Sequence, residues 1–243
     1  MFSHRLFTDQ SLSIDSTIIL SGKAANYVGR ALRARKGDAI TLFNGDGNNY
    51  RGQVVAVDKM KVRVRVESLE RSKTEMSFPI EIGLCLSRQD RLDWAIQKTT
   101  ELGVHIVTPL ISERIRFQIP TERLAKRQRH WQQVAISASE QCGRARIPEI
   151  NQPKILQDWT ERNRAEAKFI LHRDAIESID TDEPPSSLAI LIGPESGLTT
   201  GEVTFAVSHG FRKLSLGPRI LRTETAPIAA LAIFGAKWGD IMA

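Results

Sequence analysis

The stretch LAILIGPESGLTTGEVTFAVSHGFRKLSLGPRILRTETAPIAALAIFGAKW, residues 188–238, decides the fold class. Leu188 to Ile192 is a short, unbroken apolar run, the composition of a strand buried on both faces. Thr199 followed three residues later by Glu202 is a capping box and opens a helix. Lys213 to Leu216 is a second short strand, and Ala226 to Trp238 is a helix apolar around most of its surface, buried in a core or against a second subunit. Strand and helix alternate, which requires parallel pairing through crossovers.

The same alternation extends towards the N-terminus. Lys168 to His172, Val104 to Leu110 and Ile80 to Leu86 read as strands. Asp90 caps a helix with Leu92, Ala95, Ile96, Thr99 and Leu102 at helical spacing, stopped by Gly103. Thr121 caps a longer helix with Leu124, Trp131, Val134, Ala135 and Ala138 on one face, ending at Gly143. The expected fold is an α/β domain with an open, mainly parallel sheet and helices on both faces.

Before residue 73 the pattern changes. Thr17 to Leu20, Ala39 to Phe43, Tyr50 to Val57 and Lys61 to Glu67 read as strands separated by Gly37-Asp38 and by the turn residues Gly45 to Asn49, the pattern of a small β-barrel. The polar stretch Leu69 to Phe78, ending at Pro79, reads as a linker. The expected domains are therefore residues 1–73 and 74–243.

Charge divides along the same line. The chain carries 34 Lys and Arg against 28 Asp and Glu, a formal charge of +6. Residues 1–73 hold 13 basic and 7 acidic residues, and the remainder holds 21 of each, so the excess belongs to the small module. Arg30, Arg33 and Arg35 (or Lys36) lie among Tyr27, Val28, Ala31 and Leu32, as on a short helix that buries one face and projects arginines from the other. Lys61, Arg63 and Arg65 alternate with Val62, Val64 and Val66, the period of a half-buried strand. Such clusters suit a polyanion such as nucleic acid; a solvated face is the alternative.

Other classes are excluded by what the chain lacks. Its longest nearly uncharged apolar run, Ala226 to Ala236, is 11 residues and contains Pro227, against the roughly 20 that span a bilayer. The opening MFSHRLFTDQ has no apolar core of a secretory signal, so a cytoplasmic protein is expected. Cys85 and Cys142 form no CxxC and the histidines are scattered, so no metal site is expected and the cysteines read as buried, reduced thiols. The phosphate loop GxxxxGK[ST], the dinucleotide loop GxGxxG, HExxH and GxSxG are all missing.

Two loops carry residues that packing does not require. Gly193-Pro194-Glu195-Ser196-Gly197 follows a strand at the carboxyl end, where open α/β sheets bind ligands. Leu216 to Ala226 places Arg219, Arg222, Thr223, Glu224 and Thr225 between a strand and an apolar helix. Buried, such a group must be mutually satisfied. Thr223 or Thr225 as a helix cap and Arg222 paired with Glu224 are the purely structural alternatives.

Taken in order, GPESG and LGPRILRTETAPIAALAIFGAKWGD resemble the C-terminal signature of the ribosomal RNA small subunit methyltransferase E family, the 16S ribosomal RNA uridine N3-methyltransferases of the SPOUT superfamily. SRQDRLDWAIQKTTELGVHIVTPLISER and WQQVAISASEQCGRARIPEI resemble its internal motifs, and YVGRALRARKGDAITLFNGDG its PUA-like RNA-binding module. The similarity covers nearly the whole chain. It departs at Ser196, where the family reads glycine.

The resemblance implies a trefoil knot, a homodimer, and S-adenosylmethionine held by Leu171 and His172, by Gly193, Pro194, Glu195 and Gly197, and by Leu216, Gly217, Ile220, Leu221, Arg222, Thr223, Thr225 and Ala226. It implies a substrate in 16S ribosomal RNA of the small ribosomal subunit, gripped by Arg30, Arg33 and Arg35 with Arg144 and Arg146. Methyl transfer to uridine N3 needs a base, or a cation for the developing anionic ring. Arg222 or Arg219 suits the cation role, and Glu224 would orient the arginine or take the proton. The competing readings are a non-catalytic RNA-binding ribosome assembly factor, and a methyltransferase of the same fold acting on another nucleotide or on ribose 2'-OH.

Overall fold

The computed structural model describes residues 4–114, 121–175, 182–239 and 241. They form two units: residues up to Glu75 with Ser139–Ile147, and Met76–Ala138 with the chain from Pro148 onward. The segment Ser139–Ile147 is a contribution to the first unit that a boundary near residue 73 does not contain.

The first unit is a five-stranded sheet. Its elements are β1 (His4–Phe7), β2 (Thr17–Ser21), the short helix α1 (Gly22–Asn26), β3 (Ala39–Phe43), β4 (Asn48–Val57) and β5 (Lys61–Arg71). The strand order is β1-β3-β4-β5-β2, with β1 parallel to β3 and the other pairs antiparallel. β1 and β2 are its end strands. On β5, Val62, Val64 and Val66 are buried while Lys61, Arg63 and Arg65 face solvent, the alternation that the sequence displays. β5 runs on to Arg71, pairing Leu69 with Tyr50 and Arg71 with Asn48, so the start of the expected linker is strand. A backbone ladder can outlast the apolar alternation, because its bonds do not depend on side chains.

The expected arginine-bearing helix is α1 followed by a single π-turn, Tyr27–Ala31. Val28 is buried and Leu32 packs on the core, but Tyr27 and Ala31 face solvent. Arg33 adopts a left-handed backbone, φ 52°, which ends the helical path there.

Arg144 is buried in this unit, 2% exposed. Its Nε and Nη2 donate to Glu75 Oε2 at 3.2 and 2.8 Å, and Glu75 Oε1 accepts the Arg146 backbone N–H at 3.0 Å. Arg5 donates to the Arg144 carbonyl at 3.0 Å and to Asn49 Oδ1 at 2.6 Å, while the Phe7 N–H donates to Glu140 at 2.9 Å. These bonds hold the Ser139–Ile147 segment in the unit.

The second unit contains β6 (Ile80–Cys85), α2 (Gln89–Glu101), β7 (Ile106–Ile111), most of α3 (Thr121–Cys142), β8 (Glu149–Ile150), β9 (Lys154–Ile155), α4 (Leu156–Arg162), β10 (Ala167–Leu171), β11 (Leu188–Ile192), α5 (Thr200–Ser208), β12 (Arg212–Leu214) and α6 (Thr225–Trp238). Every strand pair is parallel, in the order β12-β10-β11-β6-β7-β8, with β9 also on β7. This is the predicted α/β sheet, and all five residues of β11 are buried. β8, β9 and α4 are too short to leave a readable period. The expected cap of α2 differs: Asp90 lies in its first turn and Arg88 is the N-cap, without a side-chain bond. The Thr121 side chain lies outside the described residues.

Helices cover both sheet faces. On one, Leu156 and Trp159 of α4 and Val203 and Ala206 of α5 pack with Ile170, Ala189, Leu191 and Phe211. On the other, Phe169 stacks on Phe234 of α6 at 5.5 Å between ring centroids, and Phe234 stacks on Trp238 at 5.4 Å. Gly83 is required on β6, because a Cβ there would lie 2.7 Å from the Trp159 ring. The cysteines are free, but only Cys85 is buried; Cys142 is half-buried, near the helix end where packing thins.

Removing one partner of a buried ion pair leaves an uncompensated charge. Glu75→Ala is expected to destabilise the protein by about 3 kcal/mol, read as a lowered midpoint in urea denaturation.

Candidate functional site

Because β12, β10 and β11 are adjacent and parallel, three loops far apart in sequence leave the same sheet edge side by side. They enclose an open cavity of about 700 Å³, within the range that accommodates small-molecule ligands. Leu171 and His172 line it after β10, Ile192 to Leu198 after β11, and Leu214 to Gly217 with Arg219 to Thr223 and Ala226 after β12.

The β10 exit is tied to its neighbour by the His172 N–H donating to the Leu214 carbonyl at 2.9 Å. The His172 ring accepts the Asp174 N–H through Nδ1 at 3.3 Å and so closes a local turn.

In the second loop, Gly193 lies against Leu198: a Cβ there would stand 2.9 Å from Leu198 Cγ. Gly197 has φ 73°, a left-handed backbone that suits glycine, and its N–H donates to the Pro194 carbonyl at 2.8 Å. Ser196 has no positive φ, so the departure from the family glycine introduces no left-handed strain. The capping box is present as expected: Glu202 Nα–H donates to Thr199 Oγ1 at 3.1 Å and Thr199 N–H to Glu202 Oε2 at 2.8 Å.

The third loop begins at Leu216 and Gly217, the latter at φ 106°. Its backbone then turns so that Thr225 and Ala226 N–H both donate to the Arg222 carbonyl at 2.9 Å, opening α6. Neither Thr223 nor Thr225 caps that helix; Glu224 is its N-cap, with no side-chain bond. Thr223 is buried, and Thr225 is the first helical residue rather than part of the cavity wall. Arg222 is largely exposed, with Nη1 3.9 Å from Glu224 Oε1. Glu224 is mostly buried and does not line the cavity, and its Oε2 has no hydrogen-bond partner among the described residues. Arg219 and Ile220 stand on the rim, Ile220 being 81% exposed.

The sequence-expected cofactor residues thus converge on one cavity, Thr225 excepted. Two residues that the sequence does not single out, Arg91 and Arg114, also line it, and a third, Glu113, braces the start of α5 behind it. Arg91 Nη1 is 2.5 Å from Glu195 Oε1, and Arg114 donates to the Ser196 carbonyl. Glu113 donates its N–H to Glu202 Oε1 and accepts from Thr199 Oγ1, both at 2.9 Å. Each pairing joins positions some eighty to a hundred residues apart, beyond any spacing rule.

On the first unit, Arg30, Arg33 and Arg35 are all exposed. Arg144 is a correction: burial against Glu75 commits its guanidinium to the fold, so it is not part of an RNA-facing surface. Arg146 is exposed and lies over the Asp46–Gly47 turn, where a Cβ on Gly47 would meet its Nε at 3.1 Å. Burial alone would raise the Asp46 carboxyl, but the Tyr50 hydroxyl, the Asn48 N–H and the Arg146 charge hold it below its ordinary value. Among the described residues there is no group of His, Cys, Asp and Glu that would hold a metal ion, and no helix long and apolar enough to cross a membrane.

Comparison with known proteins agrees with this geometry. Residues 74–235 match the family described as RNA methyltransferase domain, and residues 20–67 the RNA methyltransferase PUA domain. The chain is 32% identical to the ribosomal RNA small subunit methyltransferase E of Buchnera aphidicola from Schizaphis graminum, over 98% of this chain and 97% of that protein. It is 30% identical to the Bacillus subtilis protein of the same name, over 93% and 92%. Among solved structures, ribosomal RNA small subunit methyltransferase E from Neisseria gonorrhoeae, bound to S-adenosyl methionine, superposes with a TM-score of 0.90 at 32% identity, covering 98% of this chain and 99% of that one. A Legionella pneumophila chain described as a methyltransferase with bound cofactor SAM gives 0.93 at 37% identity, covering 99% and 100%. The cavity-forming loops, the parallel sheet that aligns them and these full-length similarities lead to one conclusion: the chain belongs to the ribosomal RNA small subunit methyltransferase E family of RNA methyltransferases.

Proposed function

We propose that this protein transfers a methyl group from S-adenosylmethionine to N3 of a specific uridine in 16S ribosomal RNA of the small ribosomal subunit. The observation that carries this reading is the convergence of three loops on one open cavity with Arg219 and Arg222 at its rim. The residues suit the cofactor: Leu171, Leu216 and Leu221 offer apolar walls, and the backbone of Gly193 to Gly197 and of Gly217 offers polar partners without side chains in the way. When bound, the cofactor supplies an electrophilic methyl group on a sulfonium. The chain's task is to hold the acceptor nitrogen in line with it and to manage the N3 proton.

Arg222 carries the electrostatic role, its exposed guanidinium free to meet an anionic ring oxygen while Glu224 lies behind it. Because Glu224 is recessed from the cavity, it orients Arg222; the N3 proton leaves to bulk water at the cavity's open mouth, and Arg222 stabilises the anionic ring whose nitrogen then takes the methyl group. Arg219, exposed on the same rim, is the second cation available to the ring or to a phosphate. In the first unit, Arg30, Arg33 and Arg35 grip RNA phosphates, with Arg146 as an additional contact. The reading extends to a trefoil knot threaded through the three loops and to a cytoplasmic homodimer. Its second copy would pack on the outward side of α6, where Ile233 is 41% exposed.

The decisive experiment incubates the protein and methyl-labelled S-adenosylmethionine with small subunits that lack the modification, then maps the label by mass. One labelled uridine, methylated at N3, is expected; label on ribose or on another base would change the acceptor, and no transfer despite cofactor binding would favour an RNA-binding assembly factor. Arg222→Ala is expected to lower kcat about a hundredfold with cofactor affinity retained; normal turnover would remove Arg222 from its role. Replacing Arg30 and Arg33 together by alanine should weaken RNA binding and reduce the log–log salt slope by roughly 1 to 2, with cofactor affinity unchanged. Titrating binding against salt concentration checks this.

A further inference from the structure

The loop Gly193 to Gly197 has no regular secondary structure, and glycines at both ends leave its backbone many alternatives. Backbone groups serve as ligand partners only if their directions are set in advance. Within the loop the sole backbone bond is that of Gly197 to Pro194. Further restraints come from side chains outside the three strands that enclose the cavity.

Arg91, in the first turn of α2 after β6, pairs with Glu195 across 104 residues. Their side chains are 27% and 39% exposed, so the pair is partly solvated and its effect on the loop is modest in size. Arg114, beyond β7, donates to the Ser196 carbonyl. Beside it, Glu113 is bonded to both Thr199 and Glu202. The loop is thereby fixed at Glu195 and Ser196, and the helix start that follows it at Thr199, from the exits of β6 and β7. Both arginines also line the cavity, and Nη1 of each donates to the loop.

We infer that Arg91 and Arg114 are positioning residues that hold the Gly193–Gly197 backbone in its ligand-binding shape, Arg91 acting through Glu195 and Arg114 through the Ser196 carbonyl. The inference rests on the reading that this cavity binds S-adenosylmethionine. It predicts a particular pattern of coupling. Arg91 and Glu195 act as one device, so losing either side chain has the effect of losing both.

The test measures S-adenosylmethionine affinity by titration calorimetry on the full chain, without RNA, for wild type, Arg91→Ala, Arg91→Lys, Glu195→Gln and the Arg91→Ala/Glu195→Gln double variant. Thermal midpoints report folding. Arg91→Ala and Glu195→Gln should each weaken the cofactor roughly three- to tenfold, and the double variant should be no weaker than the poorer single one. Arg91→Lys, which keeps the charge, should recover part of the loss. Arg114→Ala should weaken binding in the same direction. A folded Arg91→Ala or Arg91→Lys variant and a Glu195→Gln variant all binding as wild type would overturn the inference, as would additive losses. A loss confined to RNA binding would also overturn it, by making Arg91 a phosphate contact. A wild-type protein that binds no S-adenosylmethionine overturns the cofactor reading itself, a result distinct from all of these.

Discussion

The parallel adjacency of β12, β10 and β11 is the constraint on which the site depends. Parallel strands release their chains at one edge, so the residues following Leu171, Ile192 and Leu214 meet although long segments separate them in sequence. An antiparallel neighbour would have sent one loop to the opposite edge. Parallel pairing requires cover on both faces, and the apolar layers around Trp159 and Phe211 on one side and Phe234 on the other supply it. The aromatic packing and the cavity are thus consequences of the same strand order.

The loops themselves have little intrinsic order. Glu202 shows how the fold provides it: this fully buried carboxylate closes the capping box of α5 with one oxygen and accepts the Glu113 N–H with the other. A helix N-terminus is a favourable place for a negative charge, and two backbone donors satisfy it. A local helix-start signal therefore also ties the β11 exit to the β7 exit. Arg91 and Arg114 extend the same arrangement to Glu195 and Ser196.

Arginine plays opposite parts in the first unit. Arg30, Arg33 and Arg35 project into water, whereas Arg144 is enclosed and neutralised by Glu75. Desolvation of a guanidinium is tolerable only with a paired carboxylate, and Glu75 Oε2 accepts from both Nε and Nη2 of Arg144. Charge counting treats all four residues alike. Burial separates them into RNA-facing candidates and a structural clamp.

The amino-acid sequence by itself displays what neighbouring residues determine. The βα alternation from Ile80 onward, the two-residue period of Lys61 to Val66, the Thr199–Glu202 cap and the glycine-bracketed loops all follow from local backbone preference and from the side chain's alternation between core and water. The conspicuous loop residues likewise marked the cavity, Thr225 apart. Tertiary structure alone decided which strands are neighbours, that Ser139–Ile147 belongs with the first unit, that Arg144 is buried, and that Arg91 reaches Glu195. Such contacts join segments brought together by burial of a shared core, and no periodicity along the chain records which distant charge a side chain will meet.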